Sequence, residues 1–164
     1  MQERVIIRIV QEKDAEELWE NIFSRDTVNE VKDRIAMYLQ AYAAEKKVPL
    51  VAEVDGHVIG FMSVAFDDHP LRAHSCTLYD VVVNPGFQRM GISRRLFEEV
   101  KTLAAGKGKS MMLVSARGRT TAETVYRKLG FIEYGRLPNG LIEPWGEQDV
   151  YDEVMFYLPL AEGK

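Results

Sequence analysis

The spacing of apolar and polar residues along the chain predicts alternating strands and helices. Runs rich in β-branched and aromatic residues predict seven strands. These runs cover residues 5–10, 50–54, 58–66, 76–83, 110–116, 131–134 and 151–158. Apolar residues that recur every three or four positions predict helices at residues 14–23, 27–42, 91–105 and 120–129. The predicted order is therefore β-α-α-β-β-β-α-β-α-β-β.

Short motifs predict where the first elements begin and turn. Asp14 with Glu17, and Thr27 with Glu30, have the spacing of a capping box, in which each side chain bonds to the backbone of the other residue. The pair Asp55-Gly56 favours a tight hairpin between the second and third strands, because glycine readily adopts a positive φ. Each motif predicts a boundary that the structure can test.

The remaining boundary signals are weaker. The last part of strand 76–83 lacks polar alternation, so we expect it to be buried on both faces. Residues 135–149 contain two prolines and three glycines among polar residues, and we expect a long loop there. Proline at position 49 is expected to end the loop before the second strand.

The stretch from residue 81 to residue 96, VVVNPGFQRMGISRRL, has the strongest functional pattern. A valine run is followed by a polar loop that contains Gly91, and a helix begins there. The first turn of a helix presents free backbone N–H groups and the positive end of the helix dipole, which together bind anions. Arg89, Arg94 and Arg95 add positive charge nearby. The stretch therefore predicts a site for a phosphorylated ligand.

Composition limits the class of protein. The 164 residues are expected to form a single domain, residues 1–164, and the net charge of −4 disfavours a nucleic-acid binder. One cysteine and three histidines exclude an internal disulfide and a Cys/His zinc cluster. No apolar run approaches the ~20 residues of a membrane span, and no signal peptide is evident. We therefore expect a cytoplasmic protein that requires neither a metal nor a membrane.

Three motifs together resemble the GNAT superfamily of N-acetyltransferases. They are Val83-x-Pro85, then Gln88-x-x-Gly91-x-Ser93, then Ala122-x-x-x-Tyr126-x-x-x-Gly130-Phe131. The resemblance implies an α/β (α+β) fold along essentially the whole chain. That fold has a mixed, mostly antiparallel seven-stranded sheet, splayed between its fourth and fifth strands and flanked by about four helices.

The resemblance implies acetyl-CoA as the cosubstrate. Backbone amides of the loop would hold its pyrophosphate, and the splayed strands would receive its pantetheine arm. The implied contacts are Val81, Val82, Val83, Gln88, Arg89, Met90, Gly91, Ile92, Ser93, Arg94, Arg119 and Thr121. Three positions depart from the family pattern. Ser93 replaces the usual Gly or Ala, Gln88 replaces the commoner Arg, and Arg119 stands where an Asn is frequent.

The resemblance also implies catalytic roles. Tyr126 occupies the place of the tyrosine that protonates the departing CoA thiolate, although a core aromatic would show the same helical spacing. Asp80 lies in an apolar run, where a carboxylate must be paired or face a cavity. It is a candidate general base or amine anchor, or else a structural aspartate. In a regular strand its neighbour Tyr79 would face the opposite way.

Other ionisable residues are weaker candidates. Glu53 and His69 could contribute a base, although His69 precedes a proline in an expected loop. Cys76 is expected to be a buried, inert thiol rather than an acyl carrier, because the family transfers the acyl group directly.

The expected acceptor is a primary amine, either on a small molecule or on a protein or peptide. Residues 24–26, 67–74 and 135–149 would set its identity, and the last segment combines aromatic and acidic side chains that suit a cation. A solvated loop would have the same composition. A non-catalytic acyl-CoA sensor on the same fold is the alternative function. A homodimer is possible, with Trp145 and Phe156 as exposed apolar contacts.

Overall fold

The computed structural model describes residues 4–160. Within them, seven strands and four α-helices follow the predicted order. The strands are β1 (Val5–Ile9), β2 (Lys47–Val54), β3 (His57–Phe66), β4 (Ser75–Val83), β5 (Met111–Arg117), β6 (Ile132–Ile142) and β7 (Val150–Pro159). The helices are α1 (Ala15–Asn21), α2 (Val28–Ala43), α3 (Ile92–Gly106) and α4 (Thr121–Lys128).

All seven strands form one sheet in the order β1-β2-β3-β4-β5-β7-β6. Every neighbouring pair is antiparallel except β4 and β5, which run parallel. A parallel pair needs a crossover connection, and helix α3 provides it between these two strands. The predicted fold class, a mixed and mostly antiparallel seven-stranded sheet with about four helices, is confirmed.

The helices cover the two faces of the sheet unequally. Helices α1 and α2 bury Leu18, Val31 and Ile35 against Val51 and Phe61, which places them over the first three strands. Helix α3 inserts a second set of apolar side chains into the core on the opposite face. That set comprises Ile92, Leu96, Phe97, Val100 and Ala104. The two apolar clusters fix the sheet between the helix layers.

Two of the predicted boundary motifs are confirmed. Thr27 caps α2, because its side chain accepts from the amide of Glu30 while the Glu30 carboxylate accepts from the Thr27 amide. The Asp55-Gly56 turn joins β2 to β3 with φ values of 49° and 86°. Two successive positive φ angles define the turn type whose twist matches a hairpin.

The capping box predicted for Asp14 and Glu17 is wrong. Asp14 ends a short 3₁₀ turn, and its carboxylate accepts two hydrogen bonds from the Arg8 guanidinium, each at 2.8 Å. The Glu17 carboxylate accepts from the backbone N–H of Val58 instead of capping the helix. These partners lie on the neighbouring strands β1 and β3, and a local sequence motif does not show them.

Strand β2 begins earlier than predicted. It starts at Lys47 and runs through Pro49, which the sequence placed at the end of a loop. The carbonyl of Pro49 accepts a hydrogen bond from the amide of Val10, beyond the last ladder pair of β1 and β2. Proline is tolerated there because it lies near the start of the strand.

The long loop predicted at residues 135–149 is wrong in its first half. Strand β6 continues to Ile142 and pairs with β7 on both sides of an irregularity between Leu137 and Leu141. Pro138 falls within this irregular segment. Strand β6 is at the edge of the sheet, where a missing N–H and a bulge are tolerated.

Two further findings concern exposure. Phe156, expected to be exposed for a dimer contact, is fully buried in the core, whereas Trp145 is about half exposed. In residues 4–160, no helix has the length and apolar composition that a membrane span requires.

Candidate active site

Strands β4 and β5 separate after a short paired segment. They pair only from Ser75 to Thr77 of β4 and from Met111 to Leu113 of β5, although both strands continue beyond these residues. Strand β5 instead pairs along its whole length with β7. The predicted splay is confirmed, and a gap opens between the carboxyl ends of the two strands.

The burial predicted for the last part of β4 is wrong. The last part of the strand is not buried on both faces, since Tyr79 is 49% exposed and Val81 and Val82 are half-buried. An apolar run without polar alternation usually lies between two covered faces. Here the same residues border an opening, because β5 has turned away from them.

A bulge lies in β4 at the edge of the gap. Phe61 of β3 is paired with Val82, and Ser63 is paired with Tyr79, so two residues of β4 oppose one residue of β3. One of these two residues of β4 is Asp80, whose φ is +55°. A bulge turns a side chain out of the regular alternation of a strand. Asp80 is thereby redirected toward α2.

Asp80 accepts a hydrogen bond from a tyrosine on α2. The hydroxyl of Tyr38 donates to Oδ2 of Asp80. Lys47 Nζ lies 4.9 Å from the ring centre of Tyr38 and 5.0 Å from that of Tyr79. Lys47 therefore lies beside both Tyr79 and the partner of Asp80, and the bulge interrupts the regular alternation expected of Tyr79 and Asp80.

Tyr126 projects from α4 into the core beside the gap. It is only 6% exposed and packs with its ring centre 5.8 Å from that of Phe131 and 6.1 Å from that of Phe156. Burial raises the pKa of the Tyr126 hydroxyl to about 12, and the negative charge of Asp80 contributes in the same direction. The hydroxyl is therefore protonated at neutral pH and within the electrostatic influence of Asp80.

The loop between β4 and α3 has an open, strained backbone. Arg89 and Gly91 have φ values of +70° and +74°, and Gly91 is the N-cap of α3. A Cβ atom placed on Gly91 would meet nothing within 4 Å. The first-turn N–H groups of α3 have no partner within the helix. A helix N-terminus with free N–H groups and open space beside it can accept an anionic group.

The side chains of this loop have different environments. Gln88 folds back, with Nε2 3.4 Å from the carbonyl oxygen of Val83, while Arg89 and Met90 are exposed. The side chain of Ile92 is buried in the core, so only its backbone could contact a ligand. Ser93 is half-buried and exposes little of its side chain.

Three other candidate contacts lie farther along the chain. Arg94 is exposed and points across to α4, with Nη2 3.4 Å from the carbonyl oxygen of Lys128. Arg119 has a φ of +61°, and its amide donates to the carboxylate of Glu123 at 2.7 Å. Thr121 is the exposed first residue of α4. Arg119 and Thr121 follow the carboxyl end of β5, so this segment borders the gap from the α4 side.

Two loops meet near the carboxyl end of β5. Glu143, from the connection between β6 and β7, lies 3.3 Å from Arg117 and 3.6 Å from Arg25 of the α1–α2 connection. The Arg25 guanidinium also lies 4.9 Å from the ring centre of Trp145. The pKa of Glu143 is lowered chiefly by a hydrogen bond from Tyr151. Two of the segments expected to contact the acceptor are thus in contact with each other.

The weaker candidates lie outside this constellation. Glu53 is paired with Arg8 at 2.9 Å, and His69 accepts a hydrogen bond from the amide of Leu71. Cys76 is buried in the core, and burial raises the pKa of its thiol to about 11. Among residues 4–160, no group of three or more His, Cys, Asp and Glu side chains could hold a metal ion.

The site contains residues that the sequence did not indicate. Tyr38 fits the apolar stripe of α2, and nothing in its spacing predicts a contact with Asp80, which is 42 positions away. Arg25, Arg117 and Glu143 are ordinary charged residues in the sequence. Their pairing depends on how three separate segments fold.

The sheet is splayed between β4 and β5, and β4 is followed by the loop and helix predicted to bind an anion. This arrangement can be compared with the folds of known proteins. A model of the acetyltransferase (GNAT) family matches residues 13–131, and the chain belongs to this family. Acetyl transfer is the activity that this family shares. No curated protein sequence matches the chain.

Solved structures share the fold over nearly the full chain. A candidate acetyltransferase of Salmonella typhimurium, yncA, solved with its cofactor acetyl-CoA, is 20% identical, with a TM-score of 0.80 and coverage of 97% of this chain and 95% of that one. A ribosomal-protein-alanine N-acetyltransferase from Brucella melitensis is 22% identical, with a TM-score of 0.78 and coverage of 94% and 99%. RimL, a ribosomal L7/L12 α-N-protein acetyltransferase in complex with CoA, is 14% identical, with a TM-score of 0.81 and coverage of 95% and 94%.

Proposed function

We propose that the chain is an acetyl-CoA-dependent N-acetyltransferase that transfers the acetyl group directly to a primary amine. The observation that carries the proposal is the arrangement of Asp80 and Tyr126 beside one opening in the sheet. Asp80 is an exposed carboxylate on one side, and Tyr126 is a buried, protonated phenol on the other. An amine acetyltransferase needs one group that accepts a proton and one that donates it.

The open loop before α3 supports acetyl-CoA as the cosubstrate. Backbone amides from Gln88 to Arg94 would hold the pyrophosphate, and Gly91 leaves space for its close approach. Arg89 would supply positive charge, because it is exposed. The edge of β4 from Val81 to Val83, no longer paired with β5, would bind the pantetheine amides.

The residues of the gap then have defined chemical roles. Asp80 accepts a proton from the acceptor amine, directly or through water. The amine nitrogen attacks the thioester carbonyl carbon, the carbon–sulfur bond breaks, and Tyr126 donates its proton to the departing thiolate. The raised pKa of Tyr126 keeps that proton available at neutral pH. No acyl-enzyme is formed, which agrees with the burial of the Cys76 thiol.

The acceptor is proposed to be a small-molecule amine. It would approach the gap near the ion pairs of Glu143 with Arg25 and Arg117, which tie together two of the segments expected to contact the acceptor. Segments held together in this way favour a small acceptor over a folded surface. Two of the similar structures carry names of enzymes that act on ribosomal proteins, so peptide amines belong in the test.

The test is release of CoA thiol from acetyl-CoA across a panel of aliphatic amines, amino sugars and short peptides with free N-termini. We expect amine-dependent thiol release with at least one small amine, with the amide identified by mass. Titration of CoA binding by calorimetry provides the control. CoA binding without turnover on any amine would favour the acyl-CoA sensor instead.

A further inference from the structure

We propose that Tyr38 is a positioning residue that orients the Asp80 carboxylate toward the acceptor amine. This inference rests on the proposed function, because it explains how the carboxylate of Asp80 is held in the orientation that its proposed role requires. It adds a residue of α2 to a site otherwise built from β4, the loop that follows it, and α4.

Asp80 needs an external restraint because its own backbone leaves its side chain exposed. It lies on the bulge of β4 with φ at +55°, and water has access to its carboxylate. An exposed carboxylate rotates between rotamers within nanoseconds unless a partner holds it. Within residues 4–160, the Tyr38 hydroxyl is the one side chain that donates a hydrogen bond to this carboxylate.

Tyr38 is itself held firmly. It is 8% exposed, and its ring centre lies 5.3 Å from that of Phe61 in the core beneath α2. The ammonium group of Lys47 lies 4.9 Å from the Tyr38 ring centre, at a distance typical of a cation–π contact. The hydroxyl is therefore a fixed donor at the edge of the gap.

The hydroxyl of Tyr38 is suited to donate and not to act as a base. Burial, followed by the hydrogen bond to Asp80 and its negative charge, raises the pKa of Tyr38 above that of an ordinary tyrosine. The proton therefore stays on Tyr38 and engages Oδ2 of Asp80. The remaining oxygen, Oδ1, is free to accept a proton from the amine that attacks the thioester.

Tyr38→Phe tests this role, because it removes the hydroxyl and keeps the ring that packs against Phe61 and Lys47. With the best amine found for the wild type, we expect kcat to fall about 10-fold, the effect of losing a hydrogen bond to a charged group. The KM for acetyl-CoA and the melting temperature should stay within error of the wild type.

Tyr79→Phe is the matched control. It makes the same chemical change one residue from Asp80, at an exposed ring that also lies beside Lys47. We expect kcat close to the wild-type value. An equal loss in both variants, or no loss in Tyr38→Phe, would overturn the proposal.

A double-mutant cycle separates positioning from a general structural effect. In an Asp80→Asn background, Tyr38→Phe should cause no further loss, because the carboxylate that it orients is gone. Additive losses would contradict the proposal.

A crystal structure of Tyr38→Phe gives a readout independent of turnover. We expect the Asp80 carboxylate to leave its wild-type rotamer, whereas an unchanged Asp80 would overturn the proposal. A wild-type chain with no turnover on any amine would instead overturn the proposed function, and this structural comparison would still decide the role of Tyr38.

Discussion

Asp80 and Tyr126 border the same gap in opposite environments. Asp80 is exposed and anchored from α2, whereas Tyr126 is packed between Phe131 and Phe156. Burial disfavours the charged form of a phenol, so Tyr126 keeps its proton, whereas the carboxylate of Asp80 is accessible from solvent. These environments support the proposed roles of Asp80 as the base and Tyr126 as the acid.

Tyr126→Phe should lower kcat about 10²-fold and leave the KM for acetyl-CoA unchanged. A general acid acts on the leaving thiolate in the transition state, so its loss slows the chemical step and spares ground-state binding. Steady-state kinetics with varied acetyl-CoA measure both parameters. Unchanged turnover would remove Tyr126 as the acid and leave it as a core aromatic.

The pKa of Tyr126 also determines the alkaline side of the pH profile. An ordinary tyrosine loses its proton near pH 10, and the pKa of Tyr126 is raised to about 12. Because the raised value keeps the proton on the phenol, kcat should not decline between about pH 8 and about pH 10 through loss of this acid. A decline near pH 9 that disappears in Tyr126→Phe would contradict the assignment.

The sequence indicated some residues of the site and could not indicate others. Tyr126 and Gly91 belong to linear motifs, so their spacing to neighbouring residues was readable. Tyr38 meets Asp80 only because α2 packs over β3 and because a bulge reverses the direction of Asp80. Both causes depend on tertiary structure, and the strand pattern around Asp80 gave no sign of the bulge.

At the scale of elements, the start of α3 combines a positive φ with open space. Gly91 has a φ of +74°, and an added Cβ would clash with nothing within 4 Å. A larger residue at this position would strain the backbone and would interfere with a bound pyrophosphate. It would not clash with other residues of the free protein.

Gly91→Val should destabilise the fold by about 1–2 kcal/mol, the cost of the left-handed conformation for a residue with a side chain. It should also raise the KM for acetyl-CoA, with a smaller effect on kcat. Gly106→Ala at the other end of α3 is the control, because a Cβ there also meets nothing and φ is not positive. Denaturant unfolding and steady-state kinetics measure the two effects, and an unchanged KM in Gly91→Val would contradict the assigned loop.

A network of ion pairs joins α4 to β6. The Glu123 carboxylate accepts from the Arg119 amide and pairs with Arg136 at 2.6 Å and Arg127 at 3.1 Å. These hydrogen bonds lower the pKa of Glu123 to about 2 from an ordinary value of 4.5. The network holds the start of α4, and with it Tyr126, against the edge of the sheet.

The lowered pKa of Glu123 sets the pH range in which it stabilises the fold. Its contribution is present above the unfolded-state pKa of 4.5 and is lost as pH falls toward about 2. Glu123→Gln should therefore lower the urea midpoint at pH 7 and differ less from the wild type near pH 3. Glu98→Gln, at an exposed pair with Lys101, should change neither midpoint. Equal midpoints for Glu123→Gln and the wild type at pH 7 would contradict the stabilising role.

Element boundaries were predictable where the signals were local. The cap at Thr27 and the Asp55-Gly56 turn depend on residues within four positions of each other, and both are confirmed. The extension of β6 beyond residue 134 was missed, because this segment contains a proline and pairs with β7 only by virtue of its position at the sheet edge. Sequence patterns do not show which strand lies at an edge.

At the scale of the whole molecule, one interruption in the sheet organises the site. Strands β4 and β5 separate because β5 follows β7, and the gap receives residues from α2, β4, the loop before α3, and α4. This topology and its splay were predicted through the resemblance of the three motifs, and of the order of elements, to the GNAT superfamily. The ion pairs of Glu143 with Arg25 and Arg117 were not predictable, because they depend on the paths of two loops.

Transfer of isotope-labelled acetyl from acetyl-CoA to an amine is the most direct measurement of the proposed activity. The wild-type chain should yield labelled amide and free CoA in equal amounts, and Asp80→Asn and Tyr126→Phe should each slow both products together. Mass spectrometry of the amine and of the intact protein resolves the outcomes. Label retained on the protein, or CoA bound without any labelled amide, would contradict direct transfer to an amine.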